Sequence, residues 1–394
     1  MDVFQYILQY KTLIFYLLVL LFVFLNRKRF EMYAKVFALY RTKIGLKLMK
    51  KVGKQHRELV KILGYCGIGI AFIGMIFITY TLIKNPVKLL TVEGAQSEIA
   101  LVYPGVNMPG SPIVIPLFSG WIALFIVILI HEFSHGIVAL AHNIKIKSSG
   151  IMFIGPLMGA FVEPDEKQLN SKSDVAKYSV FAAGPFSNIL LGVLSLIVIS
   201  TILVPCFDKI AEPVGFSFAT IEPDSPAARA QLQPGDIITK VNGIEAYGYL
   251  TLTEQINSTA PGEVIVLSTT THNYNIITVK HPETPGKAYI GISGIKNKFE
   301  LKQNYEHFKL LKPIALITGI ATFFELLALL GLGLGLGNLI PGGPVDGGKI
   351  LAISLEKVHG KKKGKMLWIR VTSFMIFLFL LNIALTILKA FWKS

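Results

Sequence analysis

The sequence predicts an all-α polytopic membrane protein with a re-entrant, strand-like element in its core and a small α+β domain outside the bilayer. Three observations carry this. Of 394 residues, 52% are hydrophobic and only 16% charged, the balance of a lipid-embedded chain and not of a soluble two-domain enzyme. About six segments, near 4–25, 62–83, 118–141, 177–204, 311–336 and 366–390, approach the roughly 20 apolar residues that a bilayer core requires. One long stretch, 207–295, instead alternates short β-type runs with Gly/Pro turn signals.

The first apolar segment has no basic residues ahead of it. Its charges, Arg27, Lys28 and Arg29, follow it, so it reads as a retained span and not a cleavable signal. The net charge of +15 is unevenly placed. Residues 26–61 hold twelve Lys/Arg against two acids, and Lys357, Lys361, Lys362, Lys363 and Lys365 cluster before the last span, whereas 205–295 carries five basic and nine acidic residues. The positive-inside rule then puts 26–61, 142–176 and 337–365 in the cytoplasm, and the N-terminus and 205–310 outside. The basic charge is topology plus attraction to anionic headgroups, and nucleic acid is not an expected partner. Two cysteines, Cys66 and Cys206, set no disulfide framework.

Along the chain, 1–90 forms a two-span extension with a basic cytoplasmic loop. Residues 91–206 form the first part of a membrane core, and 296–394 the second. Val102-Tyr-Pro-Gly-Val-Asn-Met-Pro-Gly-Ser-Pro112 is a Gly/Pro-rich outer loop, a candidate roof for the site. Ile151-Met-Phe-Ile-Gly-Pro-Leu-Met-Gly-Ala-Phe-Val162 is apolar but broken by Gly155-Pro156 and Gly159, as expected of a re-entrant or strand-like element; irregular backbone at membrane depth needs protein or a wet cavity to cover it. In 207–295, the β-type runs are 214–221, 236–241, 263–268 and 274–279, with a short helix at 226–232.

The chemistry is written at 131–136, HEFSHG, directly after the uncharged run 120–130. Histidines at i and i+4 share a helix face, so His131 and His135 can hold one metal ion, with Glu132 beside them to take a proton from bound water. Catalytic zinc sites take three protein ligands and keep a fourth position open. Asp346, within Asn338-Leu-Ile-Pro-Gly-Gly-Pro-Val-Asp-Gly-Gly348 at the end of the fifth apolar segment, is the candidate third ligand. A carboxylate at the bilayer centre costs about 2.5–3.5 kcal/mol on insertion scales, a cost that metal coordination offsets. Glu163 and Asp165 are weaker candidate ligands in a polar stretch, and His142, at the helix end, reads as interfacial.

HEFSH at 131–135, GPFSN at 184–188 and NLIPGGPVDGG at 338–348 together resemble the site-2 protease family of intramembrane zinc metalloproteases. GAFVEPDE at 159–166 stands where that family has its membrane-reentrant β element. SPAARAQLQPGD followed by IITKVNGI, at 225–236 and 237–244, is similar to a PDZ domain, which the family also carries as an insert. The resemblance implies Zn2+ held by His131, His135 and Asp346, Glu132 as general base, and Asn338 and Asn188 as substrate-binding residues. It implies single-span membrane proteins as substrates, cut within or near their transmembrane segments (regulated intramembrane proteolysis), and a PDZ-like groove that accepts a peptide as an added strand.

Two rivals remain at this stage. A different membrane-bound HExxH peptidase would draw a glutamate from a later helix, and Glu325 is the acid available there. A metal-binding transporter or scaffold would not need Glu132. The absence of a eukaryotic sorting signal and the compact insert point to a prokaryotic cell membrane.

Overall fold

The computed structural model describes residues 3–33, 37–92, 95–99, 102–107, 113–282, 284 and 286–392; 108–112 of the expected roof loop lie outside these. The chain divides into two compact units, 1–198 with 322–394, and 199–321.

The larger unit begins with α1 (Val3–Leu25), then β1 (Glu31–Tyr33), β2 (Phe37–Thr42), α2 (Leu46–Gln55), α3 (Arg57–Thr91), α4 (Leu117–Ala141), β3 (Ile146–Ile154), β4 (Leu157–Pro164), α5 (Glu166–Asn170) and α6 (Asp174–Val198). Helices of 25 residues such as α4 and α6 extend about 37 Å, enough to cross a bilayer. The expected broken stretch folds as an antiparallel hairpin of β3 and β4, turning at Gly155-Pro156. It does not stand alone. The basic segment after α1 supplies β1 and β2, and the four strands form one sheet in the order β1-β2-β3-β4. Sequence patterning presented 31–42 only as part of a charged loop.

The smaller unit holds α7 (Val204–Ile210), β5 (Ala211–Ser217), β6 (Thr220–Ile221), α8 (Pro226–Arg229), β7 (Lys240–Val241), β8 (Ile244–Glu245), α9 (Tyr249–Ser258), β9 (Val264–Ser268), β10 (Asn273–Ile277), β11 (Val279–Lys280), β12 (Ala288–Tyr289), β13 (Ile292–Ser293) and β14 (Lys296–Leu301). A sheet of order β10-β9-β7-β8 packs its inward side chains, among them Val241, Ile265, Leu267 and Ile276, around Phe216 and Phe218. Helix α9 was not expected from the sequence; Leu252 anchors it, 2% exposed in the same core. β14 pairs with β5 beyond residue 295, so this unit runs further than the stretch 207–295.

The remaining helices are α10 (Pro313–Gly337), whose residues from 322 on belong to the larger unit, α11 (Asp346–His359) and α12 (Lys361–Trp392). Among the described residues, five helical stretches are long and apolar enough to cross a membrane: Arg57–Thr91, Leu117–Ala141, Asp174–Ile210, Pro313–Gly337 and Lys361–Phe391. With Tyr10–Leu25 as a shorter apolar helix, the chain is an integral membrane protein of polytopic helical type.

The extension is tied to the last helix by polar groups that the sequence did not flag. Pro86 lies inside α3 and has no N–H, which leaves the carbonyl of Leu82, four residues earlier, without its helical donor. Asn382 of α12 fills the gap: its Nδ2 donates to Leu82 O at 2.9 Å, and its Oδ1 accepts from Asn85 Nδ2 at 2.7 Å. Both asparagines are fully buried. Asn382→Leu is therefore expected to destabilise by about 1–3 kcal/mol, the cost of orphaning buried polar groups. Thermal unfolding in detergent should show a smaller loss for the same change in a Pro86→Ala background, where a backbone N–H again reaches Leu82.

Candidate metal centre

His131 and His135 lie one turn apart on α4, with ring centroids 4.7 Å apart. Their Nε2 atoms are 3.1 Å apart, and Asp346 Oδ2 is 3.1 Å from each. All three residues are buried: 7%, 9% and 4% exposed. Three lone-pair atoms aimed at one point repel each other unless a cation or proton sits among them. A tetrahedral zinc with N/O ligands at 2.0–2.1 Å sets its ligand atoms about 3.3 Å apart. The triangle found is close to one face of that tetrahedron, so the donor set fits Zn2+.

Each donor is placed by local structure. Asp346 is the first residue of α11, after the Gly/Pro segment has broken the apolar run, and the positive end of the helix dipole favours its carboxylate. Gly347 lets the chain fold back on itself, since a Cβ there would strike the Leu339 and Ile340 backbone; its N–H instead donates to Asn338 O at 2.8 Å. His135 Nδ1 lies 2.7 Å from Val180 O on α6. A carbonyl can only accept, so Nδ1 carries the proton and Nε2 keeps its lone pair for a metal.

Glu132 is half-buried beside the triangle. His131, Glu132 and His135 could form a second grouping, with ligand atoms within 4.8 Å of one another. The set with Asp346 is tighter, and Glu132 Oε2 already accepts from Val162 N at 3.1 Å on β4. Asn188 Nδ2 lies 3.0 Å from His131 Nδ1, and the residue is 1% exposed. It sits against a histidine and not on an open surface. Its Oδ1 has no hydrogen-bond partner. Asn338 Nδ2 donates to Leu334 O at 3.0 Å, and the residue lines a cavity of about 380 Å³ with Met375, Ile376 and Phe379. Glu163 is engaged by Ser148 and Arg41, Asp165 caps α5 by accepting from Gln168 N, and His142 Nε2 lies 3.3 Å from Ser179 Oγ. None of these joins the triangle, and Glu325 is absent from the metal groupings found among the described residues.

Two members of the site were missed in the sequence. Lys349 Nζ lies 3.2 Å from Asp346 Oδ1, the oxygen turned away from the histidines. The i,i+3 spacing after Asp346 was the available signal. Gly184 packs under both imidazoles, where a Cβ would collide with the two Nε2 atoms. In GPFSN the asparagine drew attention, while the glycine sets the helix approach. Gly184→Ala is expected to abolish stoichiometric zinc binding, measured by elemental analysis of the purified protein, while the helical circular-dichroism signal is retained.

Comparison with known proteins gives consistent matches. Residues 119–381 match the model of peptidase family M50. An uncharacterized protein of Methanocaldococcus jannaschii is 34% identical over 213 residues, covering 54% of this chain and 53% of the relative. The zinc metalloprotease RasP of Shouchella clausii is 25% identical over 242 residues, covering 51% of this chain and 55% of the relative. The chain thus spans about half the length of these curated relatives.

Proposed function

This chain belongs to peptidase family M50, the site-2 proteases, and on that footing we propose that it is an intramembrane zinc endopeptidase. Its substrates would be single-span membrane proteins, cut within or near the transmembrane segment. The observation that carries the reading is the buried 3.1 Å triangle of His131 and His135 on the apolar helix α4 with Asp346 at the start of α11, and the Glu132 carboxylate beside it.

His131, His135 and Asp346 would hold the ion. When bound, Zn2+ acidifies a water molecule and polarises a peptide carbonyl. Glu132 accepts the attacking water's proton and returns it to the leaving amine. Val180 O fixes the tautomer of His135. A histidine that offers Nε2 to a metal carries its proton on Nδ1, so in the loaded site the amide oxygen of Asn188 faces His131, a half-turn of the amide from the arrangement found. Asn188 then serves the ligand and not the substrate. Asn338, on the cavity beside the helix break, is left to bond substrate backbone. A helical substrate hides its carbonyls in its own hydrogen bonds and must unwind locally, so helix-weakening residues near the scissile bond would promote cleavage.

The smaller unit supports the PDZ-like reading through its short SPAAR helix, its four-stranded sheet and its buried core. We place it, with the N-terminus, outside a prokaryotic cell membrane that the chain crosses six times. The basic segment 26–61 and the lysines near 361 support that orientation.

The test compares wild type with Glu132→Gln and Asp346→Ala in detergent, reading zinc content and cleavage of single-span reporters. Glu132→Gln should keep its zinc and lose roughly 10²–10⁴-fold in rate. Asp346→Ala should lose both. Cleavage by Glu132→Gln at the wild-type rate would overturn the assignment of the base, and zinc retained by Asp346→Ala would overturn the ligand set.

A further inference from the structure

Arg41 of β2 reaches side chains on each of the other three strands of the four-stranded sheet. Its Nε donates to Glu31 Oε2 on β1 at 2.8 Å, and its Nη1 donates to Ser148 Oγ on β3 at 3.0 Å. The same Nη1 pairs with Glu163 Oε2 on β4, which also accepts from Ser148 Oγ at 2.8 Å. The hydrogen bond from Ser148, with Arg41 alongside, holds the Glu163 carboxyl below the usual carboxylate range, so the pair is charged at neutral pH.

The clamp closes where the sheet is least regular. The β3–β4 register shifts between Ile146 and Ser148, and Ser148 is the partner of Glu163. A shift of this kind interrupts the ladder locally and bends the strand, so side-chain contacts there help set the course of β4. The residue before Glu163 is Val162, whose backbone N–H donates to Glu132 Oε2 at 3.1 Å. That bond holds one carboxylate oxygen and leaves the other to meet the water.

We propose that Arg41 is a positioning residue for catalysis: by clamping Glu163 at the register shift, it sets the Val162 amide that orients Glu132. The inference rests on the reading of Glu132 as the proton acceptor. It gives the β1–β2 hairpin a function, since the extension then supplies a support for the general base.

The experiment uses the full-length, zinc-loaded protein with a single-span substrate, and compares Arg41→Ala, Arg41→Lys and Glu163→Gln. Zinc content, kcat and KM are read together with hydrogen exchange at the Val162 amide. The expected outcome for Arg41→Ala is unchanged zinc, kcat lowered roughly 10- to 100-fold, as follows from a misplacement on the order of 1 Å, and KM nearly constant. Val162 exchange should accelerate in Arg41→Ala and in Glu163→Gln, and Arg41→Lys should recover most of both losses. Wild-type kcat and Val162 protection in Arg41→Ala would overturn the proposal. So would a raised KM at constant kcat, which would make β4 a substrate-binding strand alone. If Arg41→Ala fails to fold, Glu163→Gln and Arg41→Lys carry the same comparison. Glu132→Gln separates the two readings. An inactive Glu132→Gln beside a fully active Arg41→Ala defeats only this inference, whereas an active Glu132→Gln defeats the catalytic reading beneath it.

Discussion

Three acceptor atoms drawn to within 3.1 Å of one another, buried between α4 and the start of α11, repel each other unless a proton or a cation sits among them. Much of the surrounding architecture serves to keep the three atoms in place. The break between α10 and α11 delivers Asp346 at a helix start. Val180 O orders one imidazole, Asn188 touches the other, and Gly184 lets α6 approach closely enough for both contacts. Metal-binding histidines ordinarily need such partners on their second nitrogen, and their loss costs about 10- to 100-fold in affinity.

The second constraint is the absence of water inside a bilayer, which makes every backbone group that lacks a partner expensive. The hairpin of β3 and β4 leaves little of its backbone unpaired whatever its depth, with β2 on one side and the Glu132 carboxylate taking the Val162 N–H on the other. Helix α3 meets it differently. Its proline strands the Leu82 carbonyl, and a side chain from α12 replaces the missing donor. In both places the N-terminal extension is joined to the family's common core by hydrogen bonds and not by apolar packing alone.

Much of the candidate site was legible in the sequence because its signals are local. The i,i+4 histidines with an acid between them, an uncharged run before them, and an aspartate among glycines each sit within a dozen residues. The long apolar helices were legible for the same reason. What remained hidden depends on partners distant in the chain. Arg41 and Glu163 are 122 residues apart, and strand 37–42, read alone, is a fragment of a basic loop. Gly184 has no local signature that separates close packing beneath a ligand from ordinary helix contact. Helix α9 sets Leu250, Leu252, Glu254 and Gln255 against Thr251, Thr253, Ile256 and Asn257, so local propensity is divided, and the burial of Leu252 in the core adds the contact that the sequence pattern does not show.

Asp346 follows His135 by 211 residues, and the whole of the smaller unit is made between them. During synthesis the histidine helix therefore enters the membrane long before its carboxylate partner exists. A chain at that stage offers two imidazoles with no third donor beside them. The order of donors along the polypeptide thus acts as a timer: the centre is completed only once the smaller unit has been made and α11 has arrived.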